Sequence, residues 1–290
     1  MISIKEFNKK ITSLKNTKKM TKTMKMVSAS KFKRAHKAQG NAVEYAVKLQ
    51  ELISRLSSAS GQQNQLLIKP KKLVNKALIL LFTSDKGLCG GFNNNLIRKL
   101  RNWIKETPYK YPQISLSFCG RRGYMAYRKT YTVQKYYENI TVKPSFADAM
   151  QVAQDLAASY IKGEFDEIYL AYNHFAGPLS QIPVIEKILP LETDALVKKD
   201  AVVSKTDYYY EPEQTELINF LIPKYLNFKI FFTLLENAAG EHGARMAAMD
   251  KASQNTSDLI DRYTLLRNRA RQASITTELI EIISGAEAQK

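Results

Sequence analysis

Apolar and small residues recur at steps of three and four along the first sixty positions. They run Ile4, Phe7, Ile11, Leu14, then Met20, Met24, Val27, then Ala35, Ala38, Ala42, Leu49, Ile53 and Leu56. That spacing marks one face of an α-helix. No proline interrupts the stretch, and Gly40 is its only glycine. At ~1.5 Å per residue, a helix over 2–57 reaches on the order of 80 Å. A compact domain needs far less, so most of this helix requires an elongated partner. The polar segment 61–70 ends it.

The pattern then changes. Residues 77–83 form a continuous apolar run, which predicts a buried strand. A turn over 85–93 and a helix over 94–105 follow. Residues 114–119 read as a second strand, 147–161 as a helix and 167–172 as a third strand. Alternating strands and helices predict an open α/β (Rossmann-like) sheet domain, here bounded at 73–205. From Pro212 the helical pattern returns, and Pro223 marks a start or a kink. A seam then runs Met249, Ala252, Thr256, Leu259, Tyr263, Leu266, Ala270, Ala273, Thr277 and Ile280, the three-four alternation of a coiled coil. The fold class is therefore α/β: a long antiparallel coiled coil of the N-terminal (1–60) and C-terminal (212–290) helices, plus the central sheet domain.

Charge sharpens this picture. The net charge is +17. Residues 1–40 hold 12 Lys or Arg and a single acid, Glu6, whereas residues 211–290 hold 9 basic and 11 acidic residues. One end of the chain is thus built to meet something acidic: nucleic acid, anionic lipid or an acidic protein surface. A nucleic-acid-binding coiled coil is the competing reading to a protein partner. No apolar run approaches the length of a membrane span. The start of the chain lacks the apolar stretch of a secretory signal, although a mitochondrial transit peptide shares its basic amphipathic character.

Candidate chemistry is sparse. Cys89 and Cys119 are the only cysteines, and His36, His174 and His242 the only histidines. Neither a disulfide framework nor a metal-ligand spacing emerges. Gly87, Gly90 and Gly91 sit between a strand and a helix but lack the Gly-Lys-Ser/Thr of a phosphate loop, so a tight turn is the expectation. Ser84 and Asp85 have no activating base nearby, and Asp85 is expected to order that turn. Tyr208, Tyr209 and Tyr210 alternate poorly with basic residues, so base stacking is not expected of them. No catalytic residue, metal or cofactor is assigned.

Four segments then become specific: 270–286 (ARQASITTELIEIISGA), 235–249 (LENAAGEHGARMAAM), 16–31 (NTKKMTKTMKMVSASK) and 84–93 (SDKGLCGGFN). Together, and in this order, they resemble the gamma subunit family of bacterial-type F-type ATP synthases. Asn237 and Gly240 stand where that family usually has serines, which puts local helix packing in question. Gly240 and Gly243 are expected to loosen the helix there by about 1 kcal/mol each against alanine.

The resemblance implies a non-catalytic central-stalk rotor. Its coiled coil stands in a ring of alpha and beta subunits, and its sheet domain meets the epsilon subunit and the membrane c-ring, with the delta subunit elsewhere in the complex. It couples proton flow to ATP synthesis or hydrolysis. It implies a peripheral location on the cytoplasmic face of the bacterial inner membrane, no cofactor and no nucleic acid. It also implies contact with beta subunits at Lys18, Lys22, Met24, Lys25, Arg271 and Gln272. For the lysines the alternative is a solvated helix face; for Met24, coiled-coil packing; for Arg271 and Gln272, a surface flanking the seam. The cysteines lie in body motifs, so the thiol switch of the plastid form is not expected.

Overall fold

A computed structural model describes residues 3–59, 67, 74–107, 111–191 and 214–287. Tyr208, Tyr209, Tyr210 and nearly all of 61–70 lie outside the described residues. In chain order the elements are α1 (Ile4–Ala59), β1 (Lys76–Phe82), α2 (Phe92–Glu106), β2 (Gln113–Cys119), α3 (Arg121–Tyr127), β3 (Thr132–Tyr137), α4 (Phe146–Ile161), β4 (Glu167–Gly177), β5 (Ser180–Leu189) and α5 (Gln214–Glu287). They form two compact units: Met1–Ser28 with Arg245–Lys290, and Ala29–Ala244. The two long helices contribute to both.

The second unit is built on a five-stranded sheet in the order β3-β2-β1-β4-β5. β1 to β4 are parallel and β5 returns antiparallel to β4. Parallel neighbours need crossovers, and crossovers are right-handed. Stepping from β1 to β2 to β3 therefore puts α2 and α3 on one face. The return from β3 to β4 puts α4 on the other. The cores follow this rule. Ile79, Leu81 and Phe118 face Leu96 and Leu100 of α2 and Tyr127 of α3. Leu78, Leu80 and Phe82 face Val152 and Leu156 of α4, and Leu226, Ile230 and Leu234 of α5. β1 is buried on both sides, which is why its sequence is unbroken apolar. Ser145 caps α4 by accepting from the Asp148 amide at 3.1 Å.

The strands predicted at 77–83, 114–119 and 167–172 are β1, β2 and β4, and the helices at 94–105 and 147–161 are α2 and α4. Three elements are additional: α3, β3 and β5. Pro223 lies inside α5.

In the first unit, α1 and α5 pair antiparallel. Lys25 meets Asp250, Lys18 meets Ser257, Phe7 meets Tyr263 and Asn8 meets Arg267. The inward stripe of α1 is Ile4, Phe7, Ile11, Leu14, Lys18, Thr21, Lys25 and Ser28, an unbroken three-four alternation. Met20 and Val27, expected in the seam, are instead 61% and 52% exposed. The reason is the period: the apolar stripe of the first turns continues onto polar residues, not onto the nearest apolar ones. On α5 the inward positions are Met249, Ser253, Thr256, Ile260, Tyr263, Arg267, Ala270 and Ser274. Leu259 and Leu266, and with them Ala273, lie one position outside this stripe and are exposed. Thr277 and Ile280 are exposed as well.

Candidate partner-contact surface

The basic run on α1 divides by position. Lys18 and Lys25 turn inward. Lys18 Nζ donates to Ser257 Oγ at 2.9 Å, and Lys25 Nζ pairs with Asp250 Oδ1 at 2.6 Å. Both keep part of their surface in solvent, so these are contacts within a polar seam rather than buried ion pairs. Lys22 is exposed and has no carboxylate partner among the described residues. Met24 is half-buried and shares one open face of α1 with Asn16, Lys19, Met20 and Thr23.

Arg271 and Gln272 are exposed near the end of the paired region. They follow Ser257, the partner of Lys18, by fourteen residues, about 21 Å of helix. The six candidate residues therefore form two patches along one coiled coil, not one site. Beyond them every residue from Ile275 to Glu287 is exposed. Ile275, Leu279, Ile280, Ile282 and Ile283 are 50–67% exposed, and such an unburied apolar helix end marks an interaction surface.

In the second unit, the carboxyl ends of the strands are where open α/β sheets hold ligands. Its polar groups there are occupied with one another, except Asn237 Oδ1, which is buried without a hydrogen-bond partner among the described residues. Ser84 N donates to Asn93 Oδ1 at 2.9 Å, Ser84 Oγ to the Lys86 carbonyl at 2.6 Å, and Asn93 Nδ2 to Ser84 Oγ at 2.7 Å. Asp85 accepts from the Arg121 amide and from Thr141 Oγ1, which fits its expected role of ordering the turn. Leu88 and Gly90 take positive φ in that turn. At the switch point between β1 and β4, Asn237 of α5 donates to the Thr83 carbonyl at 3.4 Å. Asn173 of β4 donates to the Phe92 carbonyl at 3.1 Å. The crevice is thus tied off by the chain's own helices. Burial pushes the Cys119 thiol well above its ordinary value, which leaves it a poor nucleophile. Among the described residues, no group of three or more His, Cys, Asp or Glu could hold a metal.

One arrangement had no signal in the sequence. The tip of the β4–β5 hairpin lies against both long helices within the second unit. Phe175 packs on Phe32 and His36 of α1, with ring centroids 6.0 and 5.4 Å apart. His174 Nδ1 lies 2.9 Å from Glu236 Oε1 of α5. Gly240 and Gly243 let the hairpin and its surroundings approach. A Cβ at Gly240 would meet the Phe92 ring at 3.0 Å, and one at Gly243 the Pro178 carbonyl oxygen at 3.0 Å. The helix is continuous through both glycines.

Glu236 is buried, and desolvation holds its carboxyl above the ordinary glutamate range against the pull of His174, the Phe175 amide and Lys229. A raised folded value means that its stabilising contribution is present below the unfolded pKa and is lost as pH rises through the folded one. Glu236→Gln should therefore flatten the decline in stability from the ordinary glutamate range upward. Urea midpoints of both proteins across that range check this; parallel curves would refute it.

Comparison with known proteins bears on the whole chain. The family model described as ATP synthase matches residues 3–289. The ATP synthase gamma chain of Geobacter metallireducens is 41% identical over 100% of both chains. That of Trichlorobacter lovleyi is 42% identical, again over 100% of both. The chain belongs to the ATP synthase gamma chain family. Among solved structures, a chain of the Euglena gracilis mitochondrial ATP synthase matches with TM-score 0.64 at 20% identity, covering 99% of this chain and 94% of that one. A chain of the Tetrahymena thermophila mitochondrial ATP synthase central stalk and c-ring matches with TM-score 0.58 at 24% identity, over 81% and 99%. These likenesses bear on the fold: two long terminal helices and a central mixed five-stranded sheet are shared with ATP synthase gamma chains. Asn237 and Gly240 lie where α5 meets Thr83 and Phe92.

Proposed function

We propose that this gamma chain is the central-stalk rotor of an F-type ATP synthase and does no chemistry itself. The observation that carries this reading is the helical end 275–287, exposed throughout and studded with large apolar side chains, continuing a helix whose preceding turns are paired. A shaft that turns inside a sleeve needs such an end. The closed crevice of the sheet domain, tied by Asn173 and Asn237, supports the non-catalytic part. In this reading the alpha and beta subunits surround the coiled coil, and the sheet domain, set at 73–205 between helices at 1–60 and 212–290, meets the epsilon subunit and the c-ring. The delta subunit sits elsewhere in the complex. Proton flow through the c-ring turns the chain and drives ATP synthesis, or hydrolysis runs it backwards. Its membrane association is peripheral, through the complex, on the cytoplasmic face of the bacterial inner membrane. Among the described residues no helix is long and apolar enough to cross a membrane.

Lys22, with Met24 beside it, is the proposed contact with acidic loops of the beta subunits, together with Arg271 and Gln272. Lys18 and Lys25 reach those loops only with the part of their surface the seam leaves free. The test is Lys22→Glu in the assembled complex, reconstituted into vesicles, with proton pumping and ATP hydrolysis measured on one preparation. The helix should survive, since Glu and Lys have similar propensities. We expect hydrolysis to persist and the ratio of pumping to hydrolysis to fall several-fold. An unchanged ratio would make Lys22 a solvated residue. A catalytic complex isolated without this chain would overturn the rotor reading itself.

A further inference from the structure

The cations of the sheet domain are not spread evenly. From Lys86 to Tyr137 the sequence carries eleven Lys or Arg against one acid, Glu106. The topology gathers most of them onto one layer, because α2 and α3 cover the same face of the sheet. α2 turns Leu96, Leu100 and Ile104 inward and leaves Arg98, Lys99, Arg101 and Lys105 outside. At α3 and just beyond it, Arg121, Arg122, Arg128 and Lys129 are exposed. None of these eight side chains forms an ion pair among the described residues, although the Arg121 amide donates to Asp85 at 2.9 Å; Lys25, Lys135 and Lys229 each form one. Their contacts are local and neutral: Arg98 with the Asn95 side chain at 3.4 Å, and Arg128 over the Tyr124 ring at 5.6 Å. Eight like charges held on one face, with Asp85, Glu106 and Glu138 the acids nearest them in sequence, repel one another. Something acidic laid against them relieves that cost.

We propose that the α2–α3 layer is a docking surface for a carboxylate-rich face of another protein subunit. This rests on the rotor reading above and names a partner chemistry for the sheet domain. Five of the eight cations are arginine, although the chain has 12 arginines among 44 basic residues. Arginine's planar fork grips a carboxylate through two parallel hydrogen bonds, which lysine cannot do. A bilayer surface or a nucleic acid fits less well, because both use free aromatic rings beside the charges. Here the rings are engaged. Tyr124 stacks on Tyr136 with centroids 4.6 Å apart, Trp103 lies on Tyr111 and Tyr169, and Tyr131 on Tyr127. The apolar side chain left among the charges is Met125, 48% exposed, a residue type that protein interfaces favour together with arginine.

The assembled complex tests this by zero-length carbodiimide crosslinking, which joins a lysine to a carboxylate only at contact distance. Lys25–Asp250 and Lys135–Asp155, each at 2.6 Å, are internal positive controls. We expect Lys99, Lys105 or Lys129 to be joined to Asp or Glu of another subunit. The double variant Arg98→Glu/Arg128→Glu should lower that yield about tenfold at low salt and leave the control crosslinks unchanged. Control crosslinks without any partner crosslink from these three lysines would overturn the docking surface and leave the rotor reading intact. The full chain would also be mixed with phosphatidylcholine–phosphatidylglycerol vesicles and with duplex DNA. Binding to either that the double variant abolishes would overturn it in favour of that ligand. A complex that lacks this chain would overturn both readings.

Discussion

Gly120→Ala is expected to destabilise the sheet domain by about 3–5 kcal/mol, a large part of the roughly 5–15 kcal/mol that holds a typical domain folded. Gly120 follows β2 with φ of 108° and ψ of 137°, a conformation that side chains avoid. A Cβ there would stand 2.1 Å from the Thr83 carbonyl oxygen and 2.6 Å from its carbon. Both are backbone atoms at the end of the central strand, and the Thr83 amide is itself held by the Cys119 carbonyl at 2.8 Å. Neither atom can rotate away, so β1 and β2 must part for the methyl group to fit. Gly91→Ala is the comparison: its Cβ would meet the Asn95 side chain at 2.8 Å, an exposed group free to swing aside, so the cost should stay below about 1 kcal/mol. Urea denaturation followed by Trp103 fluorescence measures both. A Gly120→Ala midpoint as close to the parent's as that of Gly91→Ala would show that the strand ends are looser than this geometry requires.

The legibility of this fold in its sequence follows burial. β1, β2 and β4 were readable because they are buried within the sheet: β1 is a run of apolar residues, and β2 and β4 carry Ile, Leu, Phe and Tyr at buried positions. The three unread elements sit at the margins. β3 is an edge strand, TVQKYY, with only Tyr137 fully buried. β5 is the other edge; it contains Pro183 and buries only its last two residues. α3 is seven residues long and turns just Gly123 and Tyr127 inward. None of them carries enough apolar periodicity to stand out.

The candidate surface was harder to read for a related reason. Apolar spacing on α1 points to Met20 and Val27 as seam positions, while the helix turns Lys18, Thr21, Lys25 and Ser28 toward α5. A run of lysines without acids looks like a single outward face, yet two of those lysines find Ser257 and Asp250 more than two hundred residues away. The hairpin clasp was unreadable for the same cause: what Glu236 and Gly243 do depends on His174 and Pro178, some sixty residues earlier. Sequence spacing cannot supply such partners. Family resemblance names candidate contact residues but not which side chains the coiled coil has already used.

The joint between α5 and the sheet should matter to function as much as to stability. Leu226, Ile230 and Leu234 recur every fourth residue and lay one face of α5 on the core beside Leu78, Leu80 and Phe82, with Ile230 and Leu234 at 0% exposure. Ile230→Ala deletes buried methyl groups where neither the sheet nor the long helix can easily collapse, so a loss of about 2–5 kcal/mol is expected. Ile230→Val keeps the branch and should cost about 0.5–1.5 kcal/mol. In the rotor reading, torque entering through the sheet domain reaches the shaft through this contact. A softened contact lets the helix yield while the sheet domain turns. Ile230→Ala complexes should therefore hydrolyse ATP but pump fewer protons for each ATP consumed, and Ile230→Val should lie between them and the parent. Urea midpoints and the pumping-to-hydrolysis ratio, measured on the same three proteins, separate the two effects. A large fall in midpoint with an unchanged ratio would mean that this joint holds the fold but does not carry the load.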